Sequence, residues 1–179
     1  MEAATAFPSR QSASFQESAG SVSREPTRML TATATFMDAD GKEVGKATLM
    51  QTPAGVLIEL EVRGLAPGIH AFHVHEKGIC DGAGKFNSAG GHYNVGGKQH
   101  GFLMTGGPHA GDMPNQFVGT DGALRAHVVN PNVTLGTGAG TLFGPDGTAL
   151  VIHAKQDDYR SQPAGDAGDR VACAVIKRQ

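Results

Sequence analysis

Seven side chains able to bind metal ions, His73, His75, His92, His100, His109, Asp112 and His153, are the most informative residues of this 179-residue chain. Zinc or copper in a nitrogen-rich site takes about four donors. Seven donors are too many for one ion and one short of two separate sets. The count therefore predicts two metals that share one imidazole. Thiolate sites are excluded, because there are only two cysteines and they lie far apart.

His73 and His75 stand at i and i+2 of Ala71-Phe72-His73-Val74-His75. Strand side chains alternate between faces, so both imidazoles share one face while Phe72 and Val74 take the other, toward a core. Leu150 and Ile152 play the same part in the run that ends in His153. The pattern predicts three histidines on outward strand faces, where a cation stays reachable by a small solute. His92, His100, His109 and Asp112 lie in or beside a stretch from Gly82 to Gly111 that is too rich in glycine for a helix and lacks sustained alternation. It predicts a loop with too little apolar surface to order itself, for which metal binding supplies the missing constraint. Three imidazoles and one carboxylate make a closed tetrahedral zinc site.

The elements that must position these donors read as strands. Leu30, Ala32, Ala34 and Phe36 alternate with Thr31, Thr33 and Thr35, and Val56, Ile58, Leu60 and Val62 alternate with Leu57, Glu59, Glu61 and Arg63. Turn signals at Asp40-Gly41, Pro53-Ala54-Gly55, Asp121-Gly122 and Pro145-Asp146-Gly147 separate the runs. Short strands and two long loops predict an all-β Greek-key sandwich or flattened barrel. Residues 29–179 read as one domain, in keeping with 39% hydrophobic residues. Residues 1–28, with six serines and only Phe7, Phe15 and Val22 as larger apolar residues, read as a disordered tail or linker. No charged start followed by an apolar run marks a secretory signal. The net charge of −2 and the lack of a basic run argue against a nucleic-acid partner. No apolar stretch approaches the roughly 18 residues of a membrane-spanning helix.

These motifs together resemble the Cu/Zn superoxide dismutase family, its bacterial members in particular. Gly68-Ile69-His70-Ala71-Phe72-His73-Val74-His75-Glu76 resembles the family's first copper-ligand strand, and Gly91-His92-Tyr93-Asn94 its bridging-histidine segment. His100, His109 and Asp112 follow at the spacings of the zinc loop, and His153-Ala154-Lys155-Gln156-Asp157-Asp158 resembles the fourth copper-ligand segment. Gly168-Asp169-Arg170-Val171-Ala172-Cys173 resembles the segment carrying the anion-guiding arginine and half of a disulfide. The resemblance spans about Leu30 to Ile176.

It implies an eight-stranded Greek-key β-barrel with a metal-binding loop and a short electrostatic loop, a sandwich architecture for which this enzyme family is a standing example. It implies copper on His73, His75, His92 and His153, and zinc on His92, His100, His109 and Asp112. His92 is then the shared bridge, and Asp157 the carboxylate that orients one imidazole of each set. It further implies a Cys80–Cys173 disulfide and Arg170 as the group that holds the substrate, superoxide. The activity implied is conversion of superoxide to dioxygen and hydrogen peroxide. A periplasmic, envelope or secreted location fits the disulfide, with a cytoplasmic one as the alternative, and a homodimer is compatible with the family. The segment from His153 to Arg170 is short and carries Asp157, Asp158, Asp166 and Asp169 against Lys155, Arg160 and Arg170, unlike the lysine-rich channel loop of animal members.

Taken singly, these residues have plainer readings. His70 has the parity of Phe72 and Val74 and reads as a buried, hydrogen-bonded histidine; His127, beside Arg125, reads as solvated. Cys80 and Cys173 could be unrelated thiols, Arg170 a surface charge and Asp157 a turn residue. Rival metal enzymes fit less well: a cupin-type site wants a carboxylate several residues after His-x-His, where Glu76 follows at once, and a metallo-β-lactamase wants Asp where Lys77 stands. The remaining alternative is a non-enzymatic copper chaperone or metal-buffering domain of the same fold.

Overall fold

Alternation sets the first strands. Ala32, Ala34 and Phe36 of β1 (Thr31–Met37) are buried, as are Ala47 and Leu49 of β2 (Glu43–Thr52) and Val56, Ile58, Leu60 and Val62 of β3 (Gly55–Val62). Asp38 makes the β1–β2 turn by accepting the N–H groups of Asp40 and Lys42 at 3.0 and 2.9 Å. The computed structural model describes residues 29–179, and the tail expected over residues 1–28 lies outside the described residues.

β4 (Gly68–His70) and β5 (Phe72–His75) follow, then β6 (Gln116–Val118), β7 (Leu124–Asn130), β8 (Ala149–His153) and β9 (Arg170–Arg178). Seven of these form one antiparallel sheet in the order β5-β8-β9-β1-β2-β3-β7, and β4 pairs with β6. β4 and β5 are one extended run interrupted at Ala71, whose N–H turns to the Lys155 carbonyl. Counted as one strand, they give the eight strands expected. β6 lies beside β7, so the sheet closes on itself. The β3–β4 and β7–β8 connections pass between strands that are not neighbours, which is the Greek-key pattern.

Phe36, Leu49, Ile58, Leu124, Leu150 and Ile152 fill the interior with Phe72 and Val74. A satellite cluster of Phe86, Ala89, Ala149, Val151 and Cys173 lies outside it, with Cys80 packed against it. Cys80 and Cys173 are disulfide-bonded, so the reading of two unrelated thiols does not hold.

One expectation is corrected. His73, His75 and His153 do lie on the strand face opposite the barrel core, but that face is not open. Every residue of β5 and β8 is buried, because the segments 76–115 and 154–169 fold across it. His70 sits as parity predicts: it is buried, its ring nitrogens 2.6 Å from the His153 carbonyl and 2.8 Å from that of Ala66. His127 is exposed beside Glu59. No helix among the described residues is long and apolar enough to cross a membrane.

Candidate metal centre

Strand register brings the first donors together. Phe72 pairs with Ile152 and His73 with Val151, which sets His153 at the mouth of the same strand pair, its N–H on the Ala71 carbonyl at 2.9 Å. The loop is then laid along the free edge of β5. Val74 donates to Gly111 at 2.9 Å, Tyr93 donates to Val74 at 2.8 Å, and Glu76 donates to Gly91 at 3.0 Å. This covers an edge that would otherwise offer unpaired peptide groups, and it carries His92 and Asp112 against the histidine strand. Gly111 must be glycine, because a Cβ there would stand 2.3 Å from the Val74 carbonyl oxygen. The loop is thus ordered partly by its own backbone bonds, more than its composition suggests.

Two donor groups result. His73, His75, His92 and His153 form one, and His92, His100, His109 and Asp112 the other, with the donor atoms of each group within 4.8 Å of one another and every residue buried. Asp112 Oδ1 lies 2.9 Å from His92 Nδ1, 3.1 Å from His100 Nδ1 and 3.5 Å from His109 Nδ1. A tetrahedron with metal–ligand bonds of 2.0–2.1 Å has edges of about 3.3 Å. The observed separations bracket that length, so the residues fit a small tetrahedral cation. In the other group, His75 Nε2 and His153 Nε2 are 3.3 Å apart.

The ring nitrogens that face away from these centres have protein partners. His73 Nε2 donates to Asp157 at 2.9 Å, His75 Nδ1 to the Gly90 carbonyl at 3.0 Å and His153 Nδ1 to that of Gly168 at 3.4 Å. Such bonds fix the tautomer and aim the other nitrogen inward. His73 Nδ1, His92 Nε2 and His109 Nδ1 are buried with no hydrogen-bond partner. Buried polar atoms without partners are costly, and these three point where a cation would sit. His92 is the one imidazole common to both groups.

Charge is distributed unevenly. Burial lowers His73 to about 4 and His153 to about 3, and lowers His75 and His109 as well. These rings are held neutral, the form that binds metals. Burial acts on His100 too, but hydrogen bonds to Asp112 and Asp157 outweigh it and raise that ring to about 9. Burial works to raise both carboxyls, yet the histidine hydrogen bonds prevail and hold Asp112 and Asp157 well below the usual carboxylate range. Asp157 spans the two groups, with Oδ2 on His73 and Oδ1 on His100 at 3.0 Å.

Arg170 reaches the centre through a bulge. Along β9, Ala172, Ala174 and Ile176 face the core, and strict alternation would turn Arg170 the same way. The register against β8 slips between Ile152 and His153, so Ile152 pairs with Ala172 but His153 with Arg170. Val171 then packs on the core instead, and Arg170 is re-aimed outward, a common use of a bulge. Its guanidinium donates Nη1–H to the Phe86 carbonyl and Nη2–H to that of Gly90, both at 2.6 Å. Its charge helps to lower both His75 and His153.

Sequence reasoning missed the residues that hold this arrangement from behind. Asn115 accepts the Asp157 N–H and donates to its carbonyl, each at 2.8 Å, and Gln162 makes the same exchange with His100 at 2.9 Å each way. Neither carries a motif, since an amide bonded to backbone is common everywhere.

Comparison with known proteins agrees with this geometry. The family model for copper/zinc superoxide dismutase matches residues 43–176. A copper-zinc superoxide dismutase of Aquifex aeolicus is 51% identical over 150 residues, covering 83% of this chain and 87% of its own. One from Caulobacter vibrioides is 47% identical over 150 residues, covering 82% and 85%. Among solved structures, a superoxide dismutase-like protein from Bacillus subtilis superposes with a TM-score of 0.77 at 36% identity, covering 80% of this chain and 96% of that one. Fold, donor geometry and these likenesses agree: the chain belongs to the copper/zinc superoxide dismutase family.

Proposed function

We propose that this chain converts superoxide to dioxygen and hydrogen peroxide, with copper held by His73, His75, His92 and His153 and zinc by His92, His100, His109 and Asp112. The observation that carries the reading is His92. One of its nitrogens joins the Asp112 group while the other is buried, without partner, among the three remaining histidines. Copper held there would supply a one-electron couple, by which one superoxide would be oxidised to dioxygen and a second, with that electron and two protons, reduced to hydrogen peroxide.

The chain's own residues do the rest. Nε2 of His92, buried without a protein partner, would be the atom able to hold a proton whenever it is not engaged by copper. Asp157, through His73 and His100, keeps both donor groups in one orientation. Arg170, half-buried beside His75 and His153, offers a cation to the incoming anion, a charge-assisted contact. A complete four-histidine set together with a placed arginine favours catalysis over metal storage. The Cys80–Cys173 bond supports a periplasmic, envelope or secreted location, since such bonds persist in oxidising compartments.

Elemental analysis alongside a superoxide-consumption assay tests this. One copper and one zinc per chain with activity is the expected result; inactivity at full loading overturns it. Arg170→Ala should cut the rate with both metals retained, and Arg170→Glu should cut it further. Both effects should shrink near 1 M salt, where the Debye length is about 3 Å.

A further inference from the structure

Arg170 is only as well placed as the two carbonyls it holds, and one of these belongs to a residue in an unusual state. Phe86 has φ 60°, and Lys85 before it has φ 52°. Two successive residues with side chains in the left-handed region persist only where the surroundings over-determine them. The Phe86 ring is fully buried against Ala89, Ala149, Val151 and Cys173, in the cluster outside the barrel core. The ring therefore points into the wall of β8 and β9 while its own carbonyl turns to Arg170. Around it the segment is closed on itself: Phe86 N–H donates to the Asp81 carbonyl at 2.8 Å, and Ala89 N–H to the Phe86 carbonyl at 3.1 Å.

We infer that Phe86 is the positioning residue for Arg170: its buried ring pins the segment so that the carbonyl at 86 stays on the guanidinium, and it does so independently of the disulfide. The disulfide joins the segment at Cys80, six positions earlier, and joins Arg170's own strand at Cys173, three positions after it, so its contribution is tested separately. The inference rests on the reading of Arg170 as the group that meets the anion.

Three substitutions separate the contributions. Phe86→Gly suits the left-handed backbone better than phenylalanine but removes the ring. Phe86→Leu keeps an apolar anchor, and Cys80→Ser removes the covalent tie alone. The side-chain N–H signals of Arg170 are recorded by nuclear magnetic resonance on metal-loaded protein with copper held as diamagnetic Cu(I) by ascorbate, which leaves the disulfide intact. In the parent protein they should be dispersed and slow to exchange with solvent. They should collapse toward free-arginine behaviour in Phe86→Gly and stay close to the parent in Phe86→Leu and in Cys80→Ser. Superoxide consumption per bound copper should fall in Phe86→Gly by about as much as in Arg170→Ala, and the double variant should be no worse than either. Such non-additivity is the mark of two residues acting as one unit.

The inference is overturned if the arginine signals survive Phe86→Gly, if Cys80→Ser releases them as fully, or if the two losses add. Should Phe86→Gly fail to load metal, Phe86→Leu and Cys80→Ser still decide: release by the first or full release by the second overturns it. The resonance readout needs no catalysis. If the arginine behaves as expected in a protein that does not consume superoxide, the functional reading fails and the positioning role stands.

Discussion

The two sides of His92 are built by different means. On the side proposed for copper the other donors sit on strands: His73 and His75 on β5, His153 on β8, spaced by sheet register. On the side proposed for zinc every donor, His92 included, comes from the single segment between β5 and β6; backbone bonds to β5 seat His92 and Asp112, and the Asp112 carboxylate gathers His100 and His109. Imidazoles are thus placed by strand pairing in one half, while in the other His100 and His109 are gathered by a carboxylate that backbone bonds have seated. A strand gives position at no electrostatic cost, so its histidines can be buried neutral. The loop draws its rings in with carboxylates, and at His100, which bonds both Asp112 and Asp157, these outweigh burial, whereas at His109 burial still prevails.

The largest expected consequence is an opposite response to pH in the metal-free protein. His73 has a folded pKa of about 4 against 6.5 in the free state. The unfolded chain binds that proton where the fold does not, so stability is full above about 6.5 and is lost as pH falls toward 4. For His73 alone the loss is roughly 3 kcal/mol, and His75 and His153 add to it. His100, raised to about 9, works the other way: its contribution is full below 6.5 and is lost as pH rises through 9. Urea unfolding of the metal-free protein from pH 4 to 10 should give a dome near pH 6.5. His100→Gln should flatten the alkaline limb and leave the acid limb. Loss of both limbs together would show that the halves do not titrate separately.

Second in size is the loss of one loop donor. Structural zinc sites contribute about 10–16 kcal/mol over four ligands, so His109→Ala should weaken zinc by at least roughly 100-fold. Hydrogen exchange should then rise over residues 82–112 while β5 and β8 keep their protection. The matched change His75→Ala should weaken copper without loosening β5, whose bonds to β8 remain. Equal loosening of strand and loop in either variant would erase the distinction.

Asp157 is where the halves meet, and Asp157→Asn should act on both. An asparagine can keep one of the two histidine contacts as acceptor but not both, so metal affinity should fall by about 10- to 100-fold on each side. Competition against chelators of known strength measures this. A change limited to one metal would mean that Asp157 supports only that half.

The contrast also explains what the sequence discloses. Strand donors are legible because alternation is local: Phe72 and Val74 face inward, so His73 and His75 face outward, and His70 falls inside by the same rule. Three features were not legible. The bulge between Ile152 and His153 reverses parity for Arg170 and Val171, and nothing in Gly168-Asp169-Arg170-Val171 announces it. The covering of the histidine face depends on two segments that fold back over long sequence separations. Phe86 looks like one apolar residue stranded in a glycine-rich loop, and only its burial beside Cys173 shows what it anchors. The pairing of the cysteines came from family resemblance, since two cysteines far apart in sequence reveal nothing of their distance in space.

The smallest expected effect tests whether the link between the halves is itself placed by electrostatics or by backbone. Asp157 is held from behind by Asn115, which bonds its N–H and its carbonyl at 2.8 Å each, while its carboxylate also accepts the Tyr159 N–H at 2.6 Å. Asn115→Ala removes the first two bonds and leaves the third. The Asn115 N–H still donates to the Tyr159 hydroxyl, so the main chain at 115 stays tied. Each lost bond is worth about 1 kcal/mol, and part of that strains Asp157 rather than releasing it. Zinc and copper should both weaken by roughly tenfold at most, and by similar factors, because Asp157 shifts as one body with an oxygen on each side. In the parent protein, prior zinc loading should tighten copper binding through the same carboxylate, and that factor should narrow in Asn115→Ala. If zinc alone weakens and the coupling factor is unchanged, Asn115 is a tie for the loop, and the carboxylate bridge is set by its histidine contacts without help from behind.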